Sequence, residues 1–342
     1  MDFSILLDTV SGIVWGPITL SLLLGVGIYL TFGLKAFPIT NMAYGFRSLF
    51  KKDGKQSDGD ISSFQSLMTA LSATVGTGNI AGVATAIFLG GPGAIFWMWF
   101  TALFGMATKY CEAFLAIYFR ERNSKNNIVG GPMYYIKNGL DKKYHFLAYL
   151  FAAFGMVAAF GIGNGVQVNS VSQVINIEFG VSQSIIGFTI AVLVAFVILG
   201  GIKSIGNVAS KLVPIMSLLY VLGGLIIIID NYSLIPKMFF LIINSAFTET
   251  AATGGFAGAT ISMAVRFGVS RGVFSNEAGL GSSPIAHAAA QTNNPAKQGS
   301  ISMLEPLIDT LIVCSITAFV VLISGEWLSG ITVSYTHLTL PT

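Results

Sequence analysis

Ten consecutive residues inside an otherwise apolar run, Ala73-Thr74-Val75-Gly76-Thr77-Gly78-Asn79-Ile80-Ala81-Gly82, bring together three glycines, two threonines and an asparagine. Each glycine weakens a helix by about 1 kcal/mol relative to alanine. A helix interrupted here frees N–H groups on one side and C=O groups on the other. The N–H end, with its positive dipole, suits a carboxylate, and the carbonyls suit an ammonium group or Na+. A second patch of the same character is Glu249-Thr250-Ala251-Ala252-Thr253-Gly254-Gly255-Phe256-Ala257-Gly258-Ala259-Thr260. Neither patch contains Lys or Arg, which favours a small zwitterion over a dianion. The plainer alternative is close helix packing through small residues. Gly76 to Ala81 also fits the loose dinucleotide pattern G-x-G-x-x-A, but no strand precedes it, so that reading is set aside.

Other polar residues lie in apolar surroundings. Gln167 could finish coordinating a carboxylate or an amine, or simply hydrogen-bond between helices. Lys109 and Glu112 stand three apart on one helical face and are expected to pair, as a structural pair or an inner gate. Glu249 precedes the second patch and could meet a cation. Glu305 and Asp309, four apart, are expected to be solvated acids near a helix start. The three histidines lack metal-ligand spacing, and Cys111 and Cys314 read as small packing residues rather than a disulfide. No nucleophile with a base and no metal cluster stands out, so an enzyme is not expected.

The elements that position these residues belong in a bilayer. The 342 residues are 54% hydrophobic and 10% charged, too few charges for a soluble surface. That excludes a soluble enzyme, a disordered tail and a nucleic-acid binder. The start, MDFSILLDTV, lacks the basic region of a removable signal peptide. With roughly 20 apolar residues per crossing, eight spans emerge, near 10–34, 64–89, 94–119, 146–177, 185–199, 208–229, 239–267 and 301–324. Lys and Arg concentrate in the odd-numbered connections, and the even ones contain only Lys237. The positive-inside rule places the odd connections in the cytoplasm and the N-terminus outside. The two patches then lie in spans of opposite direction, five helices apart, the signature of an inverted repeat whose first helices are both broken.

Gly90-Gly91-Pro92-Gly93-Ala94-Ile95-Phe96-Trp97-Met98-Trp99, with VGTGNIAGVATAI, GGPMYYI, TGGFAGATISMAVRFGV and SRGVFSNEAGLGSSPIAHAAA, closely resembles blocks of the alanine or glycine:cation symporter family, the sodium:alanine symporters. The resemblance covers about Asp8 to Gly330. It implies an all-α polytopic membrane protein with a leucine-transporter-type inverted-repeat fold and one extra N-terminal helix. It also implies alternating-access import of alanine, glycine or a similar small neutral amino acid across the cell inner membrane, driven by Na+ or H+, with no other cofactor. Carried over by position, Thr74, Gly78, Gln167 and Thr253, Gly254, Gly255 and Phe256 resemble substrate ligands, with Gly76, Thr77 and Asn79 as backbone neighbours. The Na+ site would draw on carbonyls near Thr74 and Thr77 together with hydroxyls from a later helix.

The expected organisation is one transporter domain, 1–330. It comprises an extra helix and loop (1–60), a first repeat (61–230) and a partial second repeat (236–330), and 331–342 depart from the family pattern. By this measure the chain is C-terminally truncated and lacks the helix that completes the Na+ site. A passive channel, or an inactive truncated fragment, stands as the alternative.

Overall fold

Apolar runs poor in charge must satisfy their own backbone hydrogen bonds, and a helix does so within one segment. The computed structural model describes residues 9–10, 12–51, 57–161, 164–250 and 258–328, and apart from one two-stranded hairpin its regular elements are helices. Helix α1 is Pro17–Gly33, opened by a proline whose missing N–H costs nothing there. A turn through Lys35 and Ala36, both at positive φ, leads to the short amphipathic α2, Met42–Phe50. Helix α3, Ser63–Thr74, begins with a capping box: Gln65 N–H donates to Ser62 Oγ (3.1 Å) and Ser62 N–H to Gln65 Oε1 (2.9 Å).

After Thr74 the helix breaks. It resumes as a π-helical segment, Gly78–Gly82, and continues as α4, Val83–Gly90, bent by 53° from α3. There follow α5, Gly93–Tyr118, and a hairpin in which β1, Glu121–Arg122, pairs antiparallel with β2, Ile128–Val129. Next come α6, Pro132–Gly139; α7, His145–Ala158; α8, Asn164–Phe179; α9, Gln183–Leu199; and α10, Gly201–Asp230. The chain continues with α11, Ile235–Phe247; α12, Ile261–Asn276; α13, Ser283–Ala288; and α14, Pro295–Ser324, which contains a second π-helical segment, Leu307–Cys314.

Among the described residues, four helical stretches are long and apolar enough to cross a bilayer alone, 12–33, 93–118, 201–230 and 295–324, and the bent pair makes a fifth if counted as one. The expected span 146–177 is not one helix but two, α7 and α8. Between them Asn164 Nδ2 donates to the Ala159 carbonyl (3.0 Å), a local bond that competes with helix continuation. The expected span 239–267 is likewise divided, into α11 and the start of α12. Thr250 and Ala259 exchange backbone hydrogen bonds of 2.9 Å and clasp the segment between these helices.

Two apolar clusters flank the first break. One gathers Leu67, Leu71 and Val75 of the α3 side with Val213 of α10 and Leu304 of α14. The other gathers Val83 and Ile87 of α4 with Ile95 and Met98 of α5, Ile242 of α11 and Leu322 of α14. Helices α5 and α12 cross on small residues: a Cβ on Gly268 would lie 2.3 Å from the Ala94 carbonyl oxygen.

The basic connections meet at one end of the molecule. Arg122 pairs with Asp58, Lys203 approaches Asp60 (3.9 Å), and Arg120 donates to the carbonyls of Ala288 (2.9 Å), Ala290 (2.8 Å) and Thr292 (2.6 Å). Burial lowers the Arg120 pKa, and the nearby Asp58 and Asp60 carboxylates oppose that. A cleft of about 320 Å³ opens here, lined by Asp58, Arg120, Arg122 and Asn293 among others, none of them from the helix break. At the opposite end Gly91, at φ +70°, sits against Thr250 and Ala259.

Candidate functional site at the helix break

The break is held open by its own asparagine. Gly76 N–H, which lost its helical acceptor, donates to Asn79 Oδ1 (2.7 Å). The same carboxamide donates through Nδ2 to Asp309 Oδ1 (2.6 Å) and Ser275 Oγ (3.2 Å). Asp309 Oδ2 accepts from Ser275 (2.7 Å) and Thr310 (2.8 Å). Three elements therefore converge on one carboxylate: the first π segment, the end of α12 and the second π segment. Single π turns inside α-helices concentrate at functional sites, because the extra residue re-aims side chains. Here two of them face each other through Asn79 and Asp309.

Gln167 of α8 comes to the same place. A Cβ on Gly76 would lie 3.1 Å from Gln167 Oε1 and 3.2 Å from Nε2, so the carboxamide rests on the unwound backbone. Beside it, Thr77 Oγ1 is buried without a hydrogen-bond partner. An orphaned hydroxyl at a helix break fits a polar ligand or a cation. The structure thus brings together Gly76, Thr77, Asn79 and Gln167. Thr74 ends α3 with its hydroxyl donating to the Leu71 carbonyl (3.4 Å), so its side chain is turned to its own helix. A Cβ on Gly78 meets nothing within 4 Å, so the close backbone approach belongs to Gly76. Thr253, Gly254, Gly255 and Phe256 lie outside the described residues. Glu249 is exposed where α11 gives way to the clasp.

Two expectations about charged residues need correction. Lys109 pairs with Glu305 (2.9 Å), not with Glu112, whose Oε1 instead accepts the Gly281 N–H (3.1 Å). Glu305 and Asp309 are not solvated: both are 0% exposed. Ser283, His287 and Ser302 close over Glu305, and Asn79 and Ser275 over Asp309, cover that the local spacing of two acids on a helix cannot report. Asp309 was missed as part of the site. The signal available was its apolar flank, Leu307-Ile308 and Leu311-Ile312-Val313, where a lone acid at membrane depth is a functional candidate.

Broken and π-bulged apolar helices around a polar centre define a class, the polytopic helical transporters. The profile of the sodium:alanine symporter family matches residues 2–340, and the chain belongs to that family. It is 53% identical over 328 residues to a sodium/alanine symporter of Methanococcus maripaludis, covering 95% of this chain and 72% of that protein. A putative sodium/proton-dependent alanine carrier protein of Bacillus subtilis is 42% identical over 319 residues, with 93% and 64% covered. A probable sodium/glutamine symporter of the same organism is 39% identical over 332 residues, with 96% and 68% covered.

Proposed function

We propose that this chain is a Na+- or H+-coupled symporter that imports a small neutral amino acid, alanine or glycine, by alternating access. The observation that carries the reading is the break itself: a helix bent by 53°, an orphaned Thr77 hydroxyl and the Gln167 carboxamide laid on Gly76. The relatives' names, two for alanine and one for glutamine, support a neutral amino acid as cargo. In this reading the amino acid's carboxylate meets free N–H groups at the start of the Gly78 segment. Gln167 and the Thr77 hydroxyl complete its contacts, and Thr253, Gly254, Gly255 and Phe256 are proposed as further ligands. Na+ takes the carbonyls near Thr74 and Thr77. The eight spans form a leucine-transporter-type inverted repeat with one extra helix, in the cell inner membrane. The basic end faces the cytoplasm and the N-terminus the outside.

The test is uptake of labelled alanine by the protein in liposomes. Accumulation above the external concentration is expected only with an inward Na+ or H+ gradient. Equal uptake without any gradient removes the coupling, and flux that never exceeds equilibrium makes the protein a passive pore. Gln167→Ala should weaken apparent alanine affinity about tenfold, the worth of about 1.4 kcal/mol of lost contact, with insertion unchanged. Unaltered affinity removes Gln167 from the site.

A further inference from the structure

Helix α1 presents one continuous apolar face: Ile18, Leu22, Val26, Tyr29 and Phe32 are exposed and recur at helical spacing. In a helix long enough to cross a bilayer, such a face meets acyl chains. It ends on Lys35, which is also exposed, and aromatic rings followed by a basic residue mark the level of the lipid headgroups. The turn at Lys35 and Ala36 and a single helical turn, Phe37–Thr40, then lead straight into α2.

Helix α2 has two unlike faces. Gly45, Ser48 and Leu49 are buried against the first turns of α14, where a Cβ on Gly45 would collide with the Ser300 carbonyl. On the opposite side, at about 100° per residue, Phe46, Phe50 and Ala43 fall within one sector about 60° wide, and Arg47 and Lys51 fall in the next. All five are exposed, Phe46 by 40% and Phe50 by 75%, although Phe50 stacks one side of its ring on Phe64 of α3 (6.3 Å). From Thr9 to Lys52 the sequence holds Lys35, Arg47, Lys51 and Lys52 and no Asp or Glu. The side chains of Lys35, Arg47 and Lys51 form no ion pair with any described residue.

We propose that α2 is an interfacial helix that docks on anionic phospholipid. Phe46 and Phe50 enter the acyl boundary, while Lys35, Arg47 and Lys51 hold headgroup phosphates. An aromatic sector bordered by a basic one is the pattern of a helix lying in the membrane plane. The aromatic sector also continues the acyl-facing side of α1, so lipid already lies beside it. A second copy fits this face poorly. Two copies paired about a two-fold axis would set Arg47 and Lys51 against the same cations of the other chain. Anionic headgroups instead supply the negative charge that this stretch of sequence lacks.

The proposal goes beyond the transport reading, because neither the amino acid nor Na+ takes part, and its test reads position and lipid rather than uptake. The test uses the full chain in liposomes. Ala43→Cys carries an environment-sensitive fluorophore, and Cys111→Ser removes the half-buried native thiol. Phe32→Cys on α1 and Lys125→Cys in the β-hairpin, both at exposed positions, are the lipid and water references. Phosphatidylcholine brominated in its acyl chains should quench position 43 as it quenches position 32, and aqueous iodide should quench only position 125. Quenching of position 43 by iodide alone puts α2 in water. Quenching by neither reagent reveals a protein cover, a second copy or another part of the chain. Either result overturns the proposal.

The headgroup is tested in vesicles where phosphatidylglycerol is about a tenth of the lipid and is the brominated component. Position 43 should then be quenched as though that share were about five times larger. Arg47→Gln with Lys51→Gln should return the quenching to the bulk share and leave the phosphatidylcholine result unchanged, which separates lost charge from lost fold. Quenching at the bulk share in the protein without these two changes overturns the proposal. A preference that survives the double change also overturns it, since other residues then hold the anion.

Discussion

Gly76 and Gly78 stand two residues apart and answer to different constraints. A methyl group on Gly76 presses on the Gln167 carboxamide, and one on Gly78 enters open space. Gly76→Ala should therefore weaken alanine binding by about 1–3 kcal/mol, the usual cost of overpacking, while Gly78→Ala should bind as the unaltered protein does. Labelled-alanine binding to the purified variants decides it, and equal effects would place the cargo away from Gly76. The composition of the break was legible in the sequence, because glycine, threonine and asparagine clustered in an apolar run weaken the helix at one point. Which glycine is tight was not, since that depends on α8, some 90 residues on. Asn79 shows the same limit: its backbone drew attention, while its side chain is what ties Gly76 to Asp309.

Between elements, local spacing and tertiary contact compete, and at Lys109 tertiary contact wins. Lys109 and Glu112 share a face of α5, yet the ammonium bonds Glu305, 196 residues away in sequence. Lys109→Met should leave that buried carboxylate uncompensated and destabilise the protein by about 3–5 kcal/mol. The double variant Lys109→Met with Glu305→Gln should recover part of this, because the amide oxygen keeps the contacts with Ser283, Ser302 and His287. Thermal unfolding in detergent measures both; a single variant as stable as the double would show that the pair is dispensable. At the α5–α12 crossing, Gly268→Ala must push a methyl group into the Ala94 carbonyl. A loss of about 1–3 kcal/mol is expected in the same assay, and no loss would mean that the crossing is loose. Helix content, the bend after Thr74 and the division of the second patch followed from apolar periodicity and glycine. The division of 146–177 did not: its apolar count passes for one span, while the structure ends α7 at Ala158 and starts α8 at Asn164, whose Nδ2 donates to the Ala159 carbonyl.

Across the whole molecule, the scarce charges sort to one end, where Asp58, Asp60, Arg120, Arg122 and Lys203 interlock. If that end is cytoplasmic, Lys125→Cys should react with a membrane-impermeant maleimide only in opened cells, and Tyr232→Cys in intact ones. Both positions are exposed, and of the two native cysteines Cys314 is buried and Cys111 intermediate. Labelling in the reverse order would invert the topology. The pair of apolar clusters has a mechanical meaning. Each half of the broken helix is fastened to a different cluster, α3 to the one around Leu67 and Val213, α4 to the one around Ile87 and Ile242. Between them lies a joint made of hydrogen bonds among Gly76, Asn79 and Asp309 rather than of apolar contacts. Two dry apolar halves are thus joined through a polar pivot, and local opening is expected to start at that pivot before it reaches either half.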